Sequence, residues 1–134
     1  MEPPLPATQD AALLSQHKVL VVEDDQDVRV FVVNALHEIG YATVEAGHAE
    51  AALRALDEHP DIDILLTDVV MPGINGRQLA ARAQEKHPGL IVVYMTGYTR
   101  NAIVHNGLVD PGVAFLPKPF TVAQLAPKVS RALR

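Results

Sequence analysis

At 134 residues, with 49 % apolar and 20 % charged side chains, the chain has the size and balance of one globular domain whose core needs no covalent staples. A net charge of -5 argues against nonspecific binding to nucleic acid or to an anionic membrane surface. The absence of cysteine excludes disulfides and thiolate zinc sites, and no apolar run approaches the ~20 residues of a membrane span.

Residues 1–17 carry Pro3, Pro4 and Pro6 among small and polar side chains and read as a mobile tail or linker ahead of a domain over 18–134. The tail lacks the basic start and long apolar core of a signal peptide, so a cytoplasmic location is expected. From Lys18 onward, short apolar runs alternate with helical patterns. Strands are expected at 19–22, 43–45, 64–67, 91–95 and 114–116, and helices at 26–39, 49–58, 76–86 and 122–133. The stretch between the fourth and fifth strands has room only for a short helix around 101–105. Such alternation implies βαβ units with right-handed crossovers and a parallel sheet.

Local punctuation fits these elements. Gly40 closes the first helix, Pro60 and Pro88 follow the second and third, and Asn75 and Thr121 are placed as N-caps. Pro127 lies well inside the last helix, where it lacks an N–H donor and crowds the preceding turn, so a kink or a restart is expected there. In the first helix Val28, Phe31, Val32, Ala35, Leu36 and Ile39 form the apolar stripe, with Val30 and Val33 on a flank beside it.

Chemistry gathers at strand ends. KVLVVEDD, residues 18–25, ends an apolar run on Glu23, Asp24 and Asp25; the run at 64–67 ends on Asp68; the run at 114–117 ends on Lys118. Buried parallel strands are near-continuous apolar runs, and in open α/β sheets the site lies beyond their carboxyl ends. Crowded carboxylates need a counter-charge, which a hard cation such as Mg²⁺ (or Mn²⁺) supplies through oxygen ligands. A cation and a lysine beside one more carboxylate make a place to hold a phosphoryl group.

With these residues placed, the chain resembles a two-component response-regulator receiver domain from Lys18 to its C-terminus. The marks are the acidic cluster after the first strand, LLTDVVMPGING around Asp68, YMTGY with Thr96, and FLPKPF with Lys118. The segment TGYTRNAIVHNGLVDPGVAFLPKPFT further resembles receivers fused to hybrid sensor histidine kinases. The resemblance implies a flavodoxin-like (βα)5 doubly wound fold, strand order 2-1-3-4-5, with helices on both faces and a shortened fourth helix.

It also implies roles. Asp68 is the phosphoacceptor, Glu23 and Asp24 hold Mg²⁺ (Asp24 directly, Glu23 through water), and the backbone carbonyl of Val70 completes the protein ligands. Asp25 begins the first helix. Thr96 offers a hydroxyl to a phosphoryl oxygen, and Lys118 pairs with Asp68 at rest and with the phosphoryl group afterwards. A cis bond is expected at Lys118–Pro119. Phe115 stands at the aromatic switch position, with ordinary core packing as the alternative. Val70 and Tyr98 flank the path of the hydrolytic water; since valine cannot orient it and tyrosine shields the phosphate, slow self-dephosphorylation is expected. Val30 and Val33 form the expected docking patch for a histidine kinase or histidine phosphotransfer protein. The six histidines show no i, i+4 pair and read as surface or capping residues.

Other readings of these residues are an aspartyl-phosphate phosphatase or phosphotransferase, a flavin or cobalamin module, and a receiver-like scaffold that takes no phosphate. Aspartyl-phosphate enzymes usually carry a second acid two residues beyond the nucleophile, and Val70 stands there instead. The favoured reading is a phosphorelay switch that modifies itself and turns over no independent substrate, either the receiver of a hybrid kinase or a single-domain regulator. Neither direct nucleic-acid binding nor membrane insertion is expected; oligomeric state stays open.

Overall fold

The computed structural model describes residues 17–71, 73–96, 114–118 and 120–132. In chain order the elements are β1 (Lys18–Val22), α1 (Gln26–Ile39), β2 (Ala42–Ala46), α2 (Ala49–Glu58), β3 (Ile62–Asp68), α3 (Gly76–Lys86), β4 (Ile91–Thr96), β5 (Ala114–Pro117) and α4 (Val122–Ala132). The strands form one parallel sheet in the order β2-β1-β3-β4-β5, as the resemblance implies.

Both faces of this sheet are covered. Along β1, Leu20 and Val22 pack with Ala52, Leu56, Leu79 and Ala83 of α2 and α3. Their alternating neighbours Val19 and Val21 pack with Val32, Leu36, Leu125 and Val129 of α1 and α4. A period of two along the strand thus sends successive side chains into opposite cores, which is why β1 from Val19 to Val22 carries no polar face. Val19 to Val22, Ile64 to Leu66 and Thr67 are all fully buried.

The helix ends obey local chemistry. The Asp25 carboxylate caps α1 by accepting from the N–H of Asp27 and Val28, at 2.9 and 3.2 Å. Gly40 ends it in the left-handed region at φ 119°, a conformation that costs glycine little. Asn75 and Gln78 form a reciprocal capping box at the start of α3, and Thr121 and Gln124 exchange the same bonds at α4.

Three expectations need comment. First, α4 runs unbroken through Pro127, so the helix does not restart there. Ala123, whose carbonyl loses its donor, and Pro127 are both exposed, and water can satisfy that carbonyl. Second, Phe31 and Val33 exchange places. Val33 is buried in the core, whereas Phe31 is 44 % exposed and packs its ring on Phe120 at 5.9 Å. The buried stripe of α1 is centred on Val32, Ala35 and Leu36 and reaches Val33 at one margin, leaving Phe31 at the other. Third, the helix expected at 101–105, Tyr98 and the Lys118–Pro119 bond lie outside the described residues, as does the tail up to residue 16.

Candidate functional site

Sheet register gathers the strand ends. Val22 pairs with Thr67, Asp68 with Met95, and Thr96 with Pro117, so Glu23, Asp68, Thr96 and Lys118 all emerge at one edge. Backbone bonds lock that edge: Glu23 N–H donates to Ala46 O at 3.2 Å, Val69 N–H to Met95 O at 3.0 Å, and Lys118 N–H to Thr96 O at 2.7 Å.

Among the described residues Glu23 is the most deeply buried acid, 1 % exposed, although it follows directly on β1. Its Oε2 accepts from the Asp25 N–H at 3.1 Å, and its Oε1 accepts from Lys118 Nζ at 2.6 Å. The same ammonium donates to Asp68 Oδ2 at 3.0 Å. Lys118 therefore bridges two carboxylates, the expected partner Asp68 and also Glu23. Asp24, by contrast, is exposed. Carboxylate oxygens of Glu23, Asp24 and Asp68 lie within 4.8 Å of one another.

Charge decides what this pocket wants. Burial pushes the Glu23 carboxyl above its usual range, outweighing the hydrogen bond from Lys118 that pulls it down. Burial alone would depress the Lys118 ammonium, but its hydrogen bonds and attraction to Glu23 and Asp68 together raise it. One ammonium serves two buried anions, so it is held firmly while Glu23 is under-compensated. Three carboxylates against one ammonium leave a net charge of -2 at a wholly oxygen donor set. That set fits a hard divalent cation.

The remaining expected residues fall around this centre. Thr96 ends β4 and is buried. Phe115 is buried on β5 with its ring 6.1 Å from that of Tyr94. Val70 is exposed, two residues beyond Asp68. Of the docking pair, Val30 is 45 % exposed on α1, while Val33 is withdrawn into the core and cannot be touched by a partner. Phe31, 44 % exposed beside Val30, lines with Asp27, Val28, Lys118 and Phe120 a cleft of about 550 Å³ beside the acids. Of the histidines, His48 caps α2, His59 and His87 end α2 and α3, and His37 bonds Thr43; His17 pairs instead with Asp63 at the opposite end of the sheet.

Two supporting residues carry no strand-end signal. Gly76 opens α3 and donates its N–H to Val69 O at 2.7 Å, pressed against the Asp68 backbone. Its trace in the sequence is a glycine at the first helical position, where a stronger helix former is the default. Arg29 reaches back from α1 to the Glu23 carbonyl at 2.7 Å.

Comparison with known proteins agrees with this geometry. Residues 19–130 match the family model described as the response regulator receiver domain. The sensor kinase CckA of Brucella abortus is 38 % identical over 116 residues, 86 % of this chain but 12 % of the kinase. The response regulator receiver protein CpdR of the same organism is 34 % identical over 116 residues, 87 % of this chain and 96 % of CpdR. The crystal structure of the receiver domain of the hybrid histidine kinase CckA superposes with a TM-score of 0.73 at 35 % identity, covering 87 % of this chain and 99 % of that domain. The Thermotoga maritima response regulator TrrA, solved with Mg²⁺ and BeF, gives 0.72 at 26 % identity, covering 87 % and 98 %. With its sheet order, its acid-and-lysine edge and these matches in agreement, the chain belongs to the response-regulator receiver family and is a receiver domain of two-component phosphorelay signalling.

Proposed function

We propose that this receiver accepts a phosphoryl group on the Asp68 carboxylate from a phosphohistidine of a histidine kinase or histidine phosphotransfer protein. A carboxylate oxygen attacks phosphorus, the P–N bond breaks, and the departing imidazole leaves with the bond's electron pair. The observation that carries the reading is the convergence at Asp68: two further carboxylates within 4.8 Å and an ammonium at 3.0 Å. Asp24, Asp68 and the Val70 carbonyl would hold Mg²⁺ (or Mn²⁺), which supplies neutralising charge for the phosphoryl oxygens. Both Glu23 oxygens already have protein donors, which favours a water-mediated role for that side chain. Thr96 donates its hydroxyl to a phosphoryl oxygen, Lys118 pairs with another, and Phe115 reports the change through β5.

Around the site, Val30 with Phe31 forms the surface for the donor's helices, in place of Val30 with Val33. A charge at Val30 should slow transfer from a phosphohistidine donor more than labelling by acetyl phosphate, read by phosphoryl uptake over time. The chain acts in the cytoplasm, its segment 1–17 as a linker to the domain 18–134; among the described residues no helix is long and apolar enough to cross a membrane. It serves as the receiver of a hybrid sensor kinase or as a single-domain regulator. It turns over no substrate of its own.

Incubation with acetyl phosphate and Mg²⁺ should add one phosphoryl group to the intact mass, and EDTA should prevent it. Asp68→Asn should stay unlabelled, because an amide is no nucleophile for this reaction. With Val70 unable to orient a hydrolytic water and a tyrosine at sequence position 98, the label should persist for minutes or longer. Full labelling of the Asp68→Asn protein would reject Asp68 as acceptor.

A further inference from the structure

Arg29 sits on the first turn of α1 with its side chain mostly covered, 18 % exposed. Its Nη1 donates to the carbonyl of Glu23 at 2.7 Å, and its Nε donates to Glu45 Oε1 on β2 at 3.1 Å. The guanidinium thus ties the β1–α1 turn to the end of the neighbouring strand. Glu23 is gripped from both sides, its N–H by Ala46 O of β2 and its carbonyl by Arg29. Gly47 leaves the space: a Cβ there would lie 3.1 Å from Arg29 Nη1.

A cation in this place is a puzzle on charge alone. A positive side chain beside carboxylates that take up a divalent ion repels that ion and lowers its affinity. What the planar fork offers instead is geometry, two bonds held at a fixed angle to each other, where an ammonium on a flexible stem fixes no such angle. We propose that Arg29 is a positioning residue for the cation site. By fixing the Glu23 carbonyl it sets the turn, so that the side chains of Glu23 and Asp24 stay directed at Asp68. The bond from Asp25 N–H to Glu23 Oε2 lies within the same turn and shares its order. This inference rests on the divalent-cation reading proposed above.

Geometry and charge predict opposite signs, which makes the role measurable. Mn²⁺ affinity, read from the EPR signal of the free ion at constant ionic strength, should fall about tenfold in Arg29→Ala, the scale of losing an outer partner of a ligand. Arg29→Lys keeps the charge and should fall nearly as far. In EDTA, with no metal present, the Asp25 amide should exchange its hydrogen faster in both variants. Thermal melting checks that each variant is folded; should Arg29→Ala fail to fold, Arg29→Lys decides the matter alone. Unchanged binding in Arg29→Lys, or tighter binding in Arg29→Ala, overturns the positioning role. Failure of the unaltered protein to bind Mn²⁺ would remove the cation reading and this inference with it, an outcome distinct from binding that ignores Arg29.

Discussion

Lys118→Met should lower stability by about 1–3 kcal/mol near pH 8 in EDTA, the cost of leaving buried charged groups without their donor, screened by the partial exposure of the pocket. Lys118 Nζ is the donor to both Glu23 Oε1 and Asp68 Oδ2, and methionine fills similar space with none. The loss should depend on pH in a defined direction. Burial already raises Glu23 above its usual 4.5, and without the ammonium the shift grows. A carboxyl whose folded pKa exceeds its unfolded one contributes stability fully present below about 4.5, lost as pH rises through the folded value. The variant should therefore be closest to the unaltered protein near pH 5 and furthest from it near pH 8.

The lysine itself gives a second window. Its folded pKa is raised above 10.5, so its stabilisation persists below that value and is lost as pH climbs through the folded one. The unaltered protein should lose more stability there than the variant, which lacks the group. Millimolar Mg²⁺ should return part of the deficit near pH 8, because binding to the folded state adds to its stability and the variant's pocket is more negative. Urea unfolding with and without Mg²⁺ at about pH 5 and pH 8, and in EDTA at pH above 10.5, measures all of this. A variant equally stable at both, and indifferent to Mg²⁺, would mean that these charges are not coupled.

How far the sequence discloses this site follows from where its information lies. Helices α1, α2 and α3 begin and end at the expected residues, because Asp25, Gly40 and Asn75 mark ends by short-range bonds. The strands run one or two residues past their apolar runs, to Lys18, Ile62 and Asp68, since ladder bonds continue where hydrophobicity stops. Asp63 falls inside β3 and accepts from Lys18 N–H at 2.9 Å, a cross-strand partner that no local pattern announces. The acids and the lysine were legible because each terminates a strand of one parallel sheet. The Lys118–Asp68 pair follows from the resemblance and is observed, but the second bond of Lys118, to Glu23 95 residues away in sequence, was not foreseen. The choice between Phe31 and Val33 needed the position of the segment leading into α4, where Phe120 covers the phenyl ring. Periodicity finds a helix face; its margins belong to the neighbour that packs there.

Gly76→Ala should destabilise the domain by about 3 kcal/mol and slow phosphoryl labelling even in the folded fraction. Intrinsic propensity argues the other way, since alanine exceeds glycine by up to ~1 kcal/mol inside a helix. Steric contact decides. A Cβ at this position would lie 2.3 Å from the carbonyl oxygen of Asp68 and 3.0 Å from the Cα of Val69. Both are backbone atoms, so no rotamer change relieves the overlap. Either α3 moves away from β3, loosening Leu79, Ala80 and Ala83 against the sheet, or the end of β3 moves and carries the Asp68 carboxylate off Lys118. The first route costs stability and the second costs chemistry. Gly89→Ala is the matched control, with nothing within 4 Å of its added carbon, and should stay within about 0.5 kcal/mol of the unaltered protein. Denaturant midpoints and the rate of labelling by acetyl phosphate separate the two routes. A Gly76→Ala protein of full stability and full rate would contradict the close approach of α3 to the phosphoacceptor strand.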